Sequence, residues 1–379
     1  MRRICWVFVF SVLLAALPLF AGVAPAAEGS ARAAYVMDLT TGRVLYAQSE
    51  HEPLPMASTT KVMTALLALE NGDLDALVTT GPNAYGRPGT SIYLDRGETL
   101  TLEAMLYGLL IASGNDAAVA IAEHISGSVE DFCERMTARA RELGATDTRF
   151  LNPHGLPADG HVTTARDLSL IAAQAMKNPI FREIVTTERA SIPWEGRSYM
   201  RILKNKNALL QSYEGVTGIK TGFTRAAGRC LVFGARRGEL ELVGTVLGCP
   251  DWFSEAADIM DHVFATYAWT EMLPDGERVG NVTILGGELE TLPVLLKGPL
   301  AGPVSELEQP LMRIEIVESI HAPQPAGAQV GFATMFIGEQ VIAQQPLVIA
   351  EPARQAPSPL LRWLRGWTLL RGASPYEGM

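Results

Sequence analysis

The order of strand-like and helix-like stretches constrains this chain most. AAYVMDLTTGRVLYAQ (residues 33–48) alternates apolar and polar residues around a Thr-Thr-Gly turn, the pattern of a hairpin of two short strands. RCLVFGARRGELELVGTVLG (229–248) repeats that pattern far down the chain. Helical periodicity fills the interval. STTKVMTALLALENG opens on hydroxyl residues suited to a helix N-cap and stops at Gly72; LTLEAMLYGLLIAS and AAVAIAEHI flank the break SGND. SVEDFCERMTARARELG and TARDLSLIAAQAM are further amphipathic helices, and WFSEAADIMDHVFATYAWTEM reads as a closing helix through Met272. Strands from both ends must then meet in one antiparallel sheet with helices packed on it, an α+β arrangement with an all-α subregion.

From about residue 276 the texture changes to short alternating runs divided by Gly and Pro: RVGNVTIL, LPVLLKG, MRIEIVES, AQVGFATMFI and QVIAQQPLVIA. These predict a small all-β domain, a sandwich or barrel, over 276–352, after a first domain over 28–272. The remaining 353–379 form a tail. At 100° per residue, Leu360, Trp363, Leu364, Trp367 and Leu370 share one helical face with Arg362 and Arg365 opposite, which suits a lipid interface. At the other end, MRR precedes an uncharged apolar run broken by Pro18, Gly22 and Pro25. Ala24 and Ala26 form an A-x-A cleavage site, so residues 1–26 read as a signal peptide and the protein as exported.

With 379 residues, 48% of them hydrophobic, the chain can bury a large core, and its net charge of -10 argues against nucleic acid as a partner. Cys5 would leave with the signal. Placing the second hairpin's turn near Arg237–Gly238 sets paired positions to sum to about 475, which puts Cys230 opposite Thr245 and out of reach of Cys249. No disulfide is expected, and neither metal nor organic cofactor. No Cys/His spacing fits a zinc site, and none of the six histidines lies in a GxSxG or HExxH setting.

If the protein carries serine chemistry, its base is therefore not histidine. Of six lysines, Lys61 alone has a serine three positions before it, in Ser58-Thr-Thr-Lys61. Residues i and i+3 share a helix face, so Oγ and Nζ can meet, and an amine serves as base once burial and neighbouring cations lower its pKa. Alone, the motif arises often by chance. Here Ser113-Gly114-Asn115 stands at the break between two apolar helices, 55 positions on, and Lys220-Thr221-Gly222 leads into the hairpin 107 positions later.

S-x-x-K, S-x-N and K-T-G in this order are the signature of penicillin-recognising enzymes. The chain resembles the low-molecular-weight penicillin-binding proteins, the serine-type D-alanyl-D-alanine carboxypeptidases, also through DLTTGRVLYAQSEHEPLPMASTTKVMTA, LGATDTRFLNPHGLPADGHVTTARDLSLIA and YEGVTGIKTGFTRAAGRCLV. The resemblance implies a penicillin-binding/β-lactamase-like fold and trimming of peptidoglycan stem peptides that end in D-Ala-D-Ala, in the periplasm or at the outer face of the cytoplasmic membrane. It implies acylation by β-lactam antibiotics. Ser58 would be the nucleophile and Lys61 its proton acceptor. Ser113 would relay a proton with help from Lys220, and Asn115 would hold Lys61 and the substrate amide. Thr221 would bind the terminal carboxylate, Gly222 would belong to the substrate-binding strand, and the N–H groups of Ser58 and Phe223 would form the oxyanion hole. Lys206 matches a basic position near the family's cleft; a solvated surface charge is the other reading of it.

One position departs from the pattern. Past the glycine that follows the hairpin, Glu255 stands where the family has a carboxylate-binding arginine. Arg225 or Arg229 then substitutes, or the carboxylate is held less tightly. That leaves two alternatives to carboxypeptidase action: D,D-endopeptidase action on cross-links, and an inactive, membrane-tethered binder of cell-wall peptide. A class A β-lactamase would need a glutamate four positions before Asn152, where Thr148 stands.

Overall fold

The computed structural model describes residues 30–357. The expected signal segment, with Cys5, and the amphipathic stretch from Leu360 lie outside these residues. β1 (Ala33–Asp38) and β2 (Val44–Gln48) form the first hairpin, and a 3-10 turn, Ala57–Thr60, leads into α1 (Lys61–Asn71). β3 (Leu77–Thr79) and β4 (Thr99–Thr101) pair as a ribbon. Then come α2 (Leu102–Leu110), α3 (Asn115–Ser126), α4 (Val129–Glu142), α5 (Ala165–Ala175) and α6 (Pro179–Thr186). β5 (Arg189–Ile192) and β6 (Arg201–Lys204) form a second ribbon. A helical turn, α7 (Leu209–Ser212), precedes β7 (Val216–Thr224), β8 (Gly228–Arg237), β9 (Leu240–Leu247) and α8 (Trp252–Thr266).

Strands from both ends of this region meet, as the sequence pattern requires, in a five-stranded antiparallel sheet of order β2-β1-β9-β8-β7. Every residue of β9 is buried because both faces of the sheet are covered. Val243 and Leu247 join Ala33, Tyr35 and Met37 in the core shared with α1–α6. Leu242 and Val246 join Ala34, Val36 and α8 on the opposite face. The alternation is thus between two apolar layers rather than between core and water, and each buried Val or Leu contributes roughly 1.5–3 kcal/mol. β7 is an outer strand of this sheet.

Three local expectations change. The second hairpin pairs Arg237 with Leu240 and Val232 with Thr245, a register two residues away from the expected Cys230–Thr245 pair. Cys133, Cys230 and Cys249 are buried free thiols, as expected. The closing helix ends at Thr266, and Tyr267–Leu273 is a strand because its side chains serve the next sheet. At the start of α1 no hydroxyl caps a helix N–H. Instead Thr59 Oγ1 donates to Met56 O (2.5 Å) and Thr60 Oγ1 to Ala57 O (2.9 Å), tightening the turn.

The rest is all β. β10 (Tyr267–Leu273) pairs with β13 (Leu300–Ser305). β11 (Arg278–Leu285), β12 (Thr291–Leu296), β14 (Pro310–Ile316), β15 (Ser319–His321), β16 (Gln329–Ile337) and β17 (Gln340–Ile349) form a six-stranded sheet of order β14-β16-β17-β12-β11-β15. Leu300 and Val304 of β13 pack against Met335, Ile342 and Leu347 in the sandwich core. Arg43, from the β1–β2 turn, ties this sandwich to the first sheet. It is buried, donates to Pro303 O, pairs with Glu308 and lies 5.1 Å from the Tyr267 ring centroid.

Candidate active site

The turn that presents Ser58 is fixed from three sides. Ala57 holds φ +48°, and Gly155 packs so closely beneath it that an added Cβ would lie 1.8 Å from Ala57 O. Thr60 Oγ1, which donates to Ala57 O, meets His161 Nε2 at 2.9 Å. Leu151 N donates to Nδ1 of the same ring (3.0 Å), so the ring proton sits on Nε2 and is given to Thr60. Burial pushes the His161 pKa down to about 4, so the ring stays neutral and the tautomer is set. From the other side, the backbone of Gly222 on β7 lies against the turn: a Cβ there would stand 2.8 Å from Ser58 N and 2.9 Å from Thr59 N.

Lys61, on the first turn of α1, is fully buried. Its Nζ lies 3.1 Å from Ser58 Oγ and 2.7 Å from both Asn115 Oδ1 and His154 O. The Asn115 amide is oriented by Nδ2 donating to Pro88 O (2.7 Å), which can only accept. Burial lowers the Lys61 pKa well below that of a free amine, and the Lys220 and Lys206 charges add to this; Asp116 opposes it. A neutral amine has two N–H groups and one lone pair. Two of its three neighbours are carbonyl oxygens that can only accept, so they take the N–H groups. The lone pair is left for Ser58 Oγ–H, the one partner able to donate.

Ser113 and Asn115 occupy the break between α2 and α3, where Ser113 holds φ +66°. Lys61 Nζ is engaged by its three oxygens and Lys220 Nζ donates to Thr221 O (3.0 Å), so the buried Ser113 hydroxyl is bonded to neither amine. Asp116, buried in the first turn of α3, accepts from the N–H groups of Ile92 and Leu94 (3.1 Å each) and holds that loop beside the site. On β7, Lys220 and Thr221 are buried while Phe223 is 61% exposed. Burial, then the Lys206 charge, lowers Lys220 to about 7. Lys206 donates to Thr90 Oγ1 (3.3 Å), and desolvation lowers its pKa too. Three amines, two hydroxyls and the outer edge of β7 thus converge. Among the described residues no cluster of His, Cys or carboxylate side chains is placed to hold a metal ion.

The nine residues singled out from sequence come together from the Ser58 turn, the α2–α3 break and β7, with Lys206 exposed beside them. Sequence reasoning missed the segment that closes the site from behind. His154 supplies a main-chain oxygen to Lys61, and Pro153 O accepts from Thr64 Oγ1 (2.7 Å). The His154 ring accepts from Arg87 Nε (3.2 Å) and is pushed to about 3, first by burial and then by Lys61 and Arg87. Asn152 Oδ1 accepts from Gly155 N (2.7 Å), so this asparagine shapes the loop. A main-chain acceptor is announced by no residue type; the glycine of PHG was the available signal. Glu255 accepts from Ser30 N and Oγ (2.9 Å each). Arg229 is committed to Pro250 O, whereas Arg225 is exposed in the β7–β8 turn.

Residues 21–251 match the D-alanyl-D-alanine carboxypeptidase family and residues 267–353 match the C-terminal domain of penicillin-binding protein 5. The chain is 31% identical over 337 residues to the D-alanyl-D-alanine carboxypeptidase DacF of Bacillus subtilis, covering 86% of each chain. It is 32% identical over 359 residues to DacC of Escherichia coli, covering 88% of each. Penicillin binding protein 5 of Haemophilus influenzae superposes with a TM-score of 0.72 at 26% identity, over 88% of this chain and all of that one.

Proposed function

The chain belongs to the D-alanyl-D-alanine carboxypeptidase family of serine peptidases, and on that premise we propose that it removes the terminal D-Ala from peptidoglycan pentapeptide stems through an acyl-enzyme on Ser58. The observation that carries this reading is the contact of buried Lys61 Nζ with Ser58 Oγ (3.1 Å), beside two oxygens that can only accept. Ser58 gives its proton to Lys61 as Oγ attacks the carbonyl carbon of the D-Ala–D-Ala bond. The N–H groups of Ser58 and Phe223 receive the oxyanion, each such donor contributing about 3–4 kcal/mol in a transition state. As the C–N bond breaks, the leaving amine takes up a proton from Lys61, and Ser113 with Lys220 relays protons at this end. Water then hydrolyses the ester by the reverse path. The leaving D-Ala carboxylate lies toward Thr221, Lys220 and Lys206. The rest of the peptide runs along Gly222 and Phe223 as a strand added to β7. Penicillin acylates Ser58 by the same attack and leaves slowly.

In this reading residues 28–272 do the chemistry after removal of 1–26, the 276–352 sandwich carries them, and 353–379 contacts the membrane surface outside the cytoplasm. Glu255 in place of an arginine favours a second reading, D,D-endopeptidase action, in which Arg225 or nothing holds the carboxylate. The test is D-alanine release from diacetyl-lysyl-D-Ala-D-Ala together with penicillin labelling. Ser58→Ala should lose both, and Lys61→Ala should slow both by roughly 10²–10⁴-fold. Wild-type protein that releases no D-alanine and takes no penicillin would refute the proposal; labelling without release would favour the endopeptidase.

A further inference from the structure

The six-stranded sheet of the sandwich has two outer strands, and they are unequal. β15 is three residues long. β14 runs for seven, pairs with β16 along its whole length without a bulge, and among the described residues nothing pairs with its other side. None of its residues is buried; Leu311 is 62% exposed, Met312 40% and Ile314 37%. A long, regular, apolar edge presents a row of main-chain N–H and C=O groups ready to pair with another strand.

The two faces of β14 differ. Met312 and Ile314 stand opposite Met335 and Ala333 of the sandwich core, so with Ile316 they extend the apolar surface of that core outward. On the other face Arg313 and Glu315 stand opposite Thr334 and Phe332. The Arg313 guanidinium lies 4.9 Å from the Phe336 ring centroid. Neither charge has an ion-pair partner among the described residues.

A second copy of this chain can join that edge in few ways. A twofold axis normal to the sheet sets two β14 strands antiparallel, each residue facing its counterpart across the axis. Outward N–H and C=O groups belong to every second residue, so the axis must pass through a residue rather than between two. Through Arg313 it opposes two guanidiniums, and through Glu315 two carboxylates. Through Leu311 or Met312 it leaves both charges facing uncharged residues. Through Ile314 it sets Arg313 of each copy opposite Glu315 of the other. The same axis aligns Met312 with Ile316, twice, on the apolar face. Of the axes through the interior of the strand, this one alone pairs opposite charges.

We propose that β14 is a homodimer interface that joins two sandwiches edge to edge in one continuous antiparallel sheet centred on Ile314. A contact confined to one strand is small, so the dimer is reversible and forms as local concentration rises. The test is sedimentation of the full chain over a concentration series, for wild type, Arg313→Glu and Glu315→Arg. Wild type should pass from monomer to dimer. Either reversal alone opposes like charges at both pairs and should weaken association by roughly tenfold. The two variants mixed in equal amounts should associate about as well as wild type, because each supplies the charge the other lacks. Oxidised with diamide, Ile314→Cys should cross-link, since facing Cα atoms about 4.5–5.5 Å apart suit a disulfide, whereas Arg313→Cys should not. Wild type that stays monomeric, association that survives both reversals, or a mixture no stronger than its parts would each overturn the assignment. Efficient cross-linking through Arg313→Cys would overturn the register and with it the proposal.

Discussion

His161→Gln should flatten the acid sensitivity of the fold. In the native protein the ring titrates at about 4 because it is buried; in the unfolded chain it titrates near 6.5. The native state therefore binds fewer protons between these values. Its stability is full above about 6.5 and falls as the pH drops toward 4. Between pH 7 and pH 4.5 this one residue should cost roughly 2.5 kcal/mol, a large share of the 5–15 kcal/mol that holds a typical protein together. His154, pushed to about 3, acts in the same direction with a similar size. Gln cannot titrate. It leaves Leu151 N without its acceptor, so the variant should lose about 1–3 kcal/mol at pH 7. The diagnostic quantity is the difference between the two pH values. Urea unfolding of both proteins at pH 7 and pH 4.5 should show that difference smaller by roughly 2.5 kcal/mol in the variant. An unchanged difference would mean that His161 titrates normally and that Nδ1 does not accept from Leu151 N through a neutral ring.

Gly222→Ala should leave the protein folded but lower kcat/KM on D-Ala-D-Ala peptides by roughly 100-fold, since the new Cβ would press on Ser58 N and Thr59 N, and main chain cannot step aside; wild-type kinetics in a folded variant would refute the close approach. Gly155→Ala combines φ +89° with a contact to Ala57 O and should destabilise by about 3 kcal/mol or more, read as a fall in Tm. The proposed carboxylate role of Lys220 requires its charge, so kcat/KM should decline above about pH 7, and Lys220→Arg should move that basic limb upward. Arg43→Ala would strand the Glu308 carboxylate and should cost about 3–5 kcal/mol of stability while kcat stays unchanged.

Much of this was legible in the chain. The two hairpins and the helices between them dictated the sheet; Ser58 and Lys61 stood out because lysine is rare, whereas Ser113, Asn115 and Lys220 stood out through the resemblance of their motifs to those of penicillin-recognising enzymes. The hairpin register was not legible to the residue, because β8 and β9 are apolar on both faces and sliding by two changes no pattern. The helix end at Thr266 was hidden because Tyr267 continues the helical spacing of Met260 and Val263 as readily as it opens an alternating run with Trp269. His154 escaped for a different reason: its contribution to Lys61 is a carbonyl oxygen that every residue possesses, so only packing can reveal it.

The position of β7 has one more consequence. Five strands make a sheet that is one short on that side, and the vacancy lies alongside the nucleophile. In the proposed reaction each turnover fills it briefly with a borrowed strand. Recognition by main-chain pairing is indifferent to what the far end of that strand is attached to. A stem still fixed to an insoluble wall can lie there as readily as a free peptide, provided its last residues are slack enough to straighten.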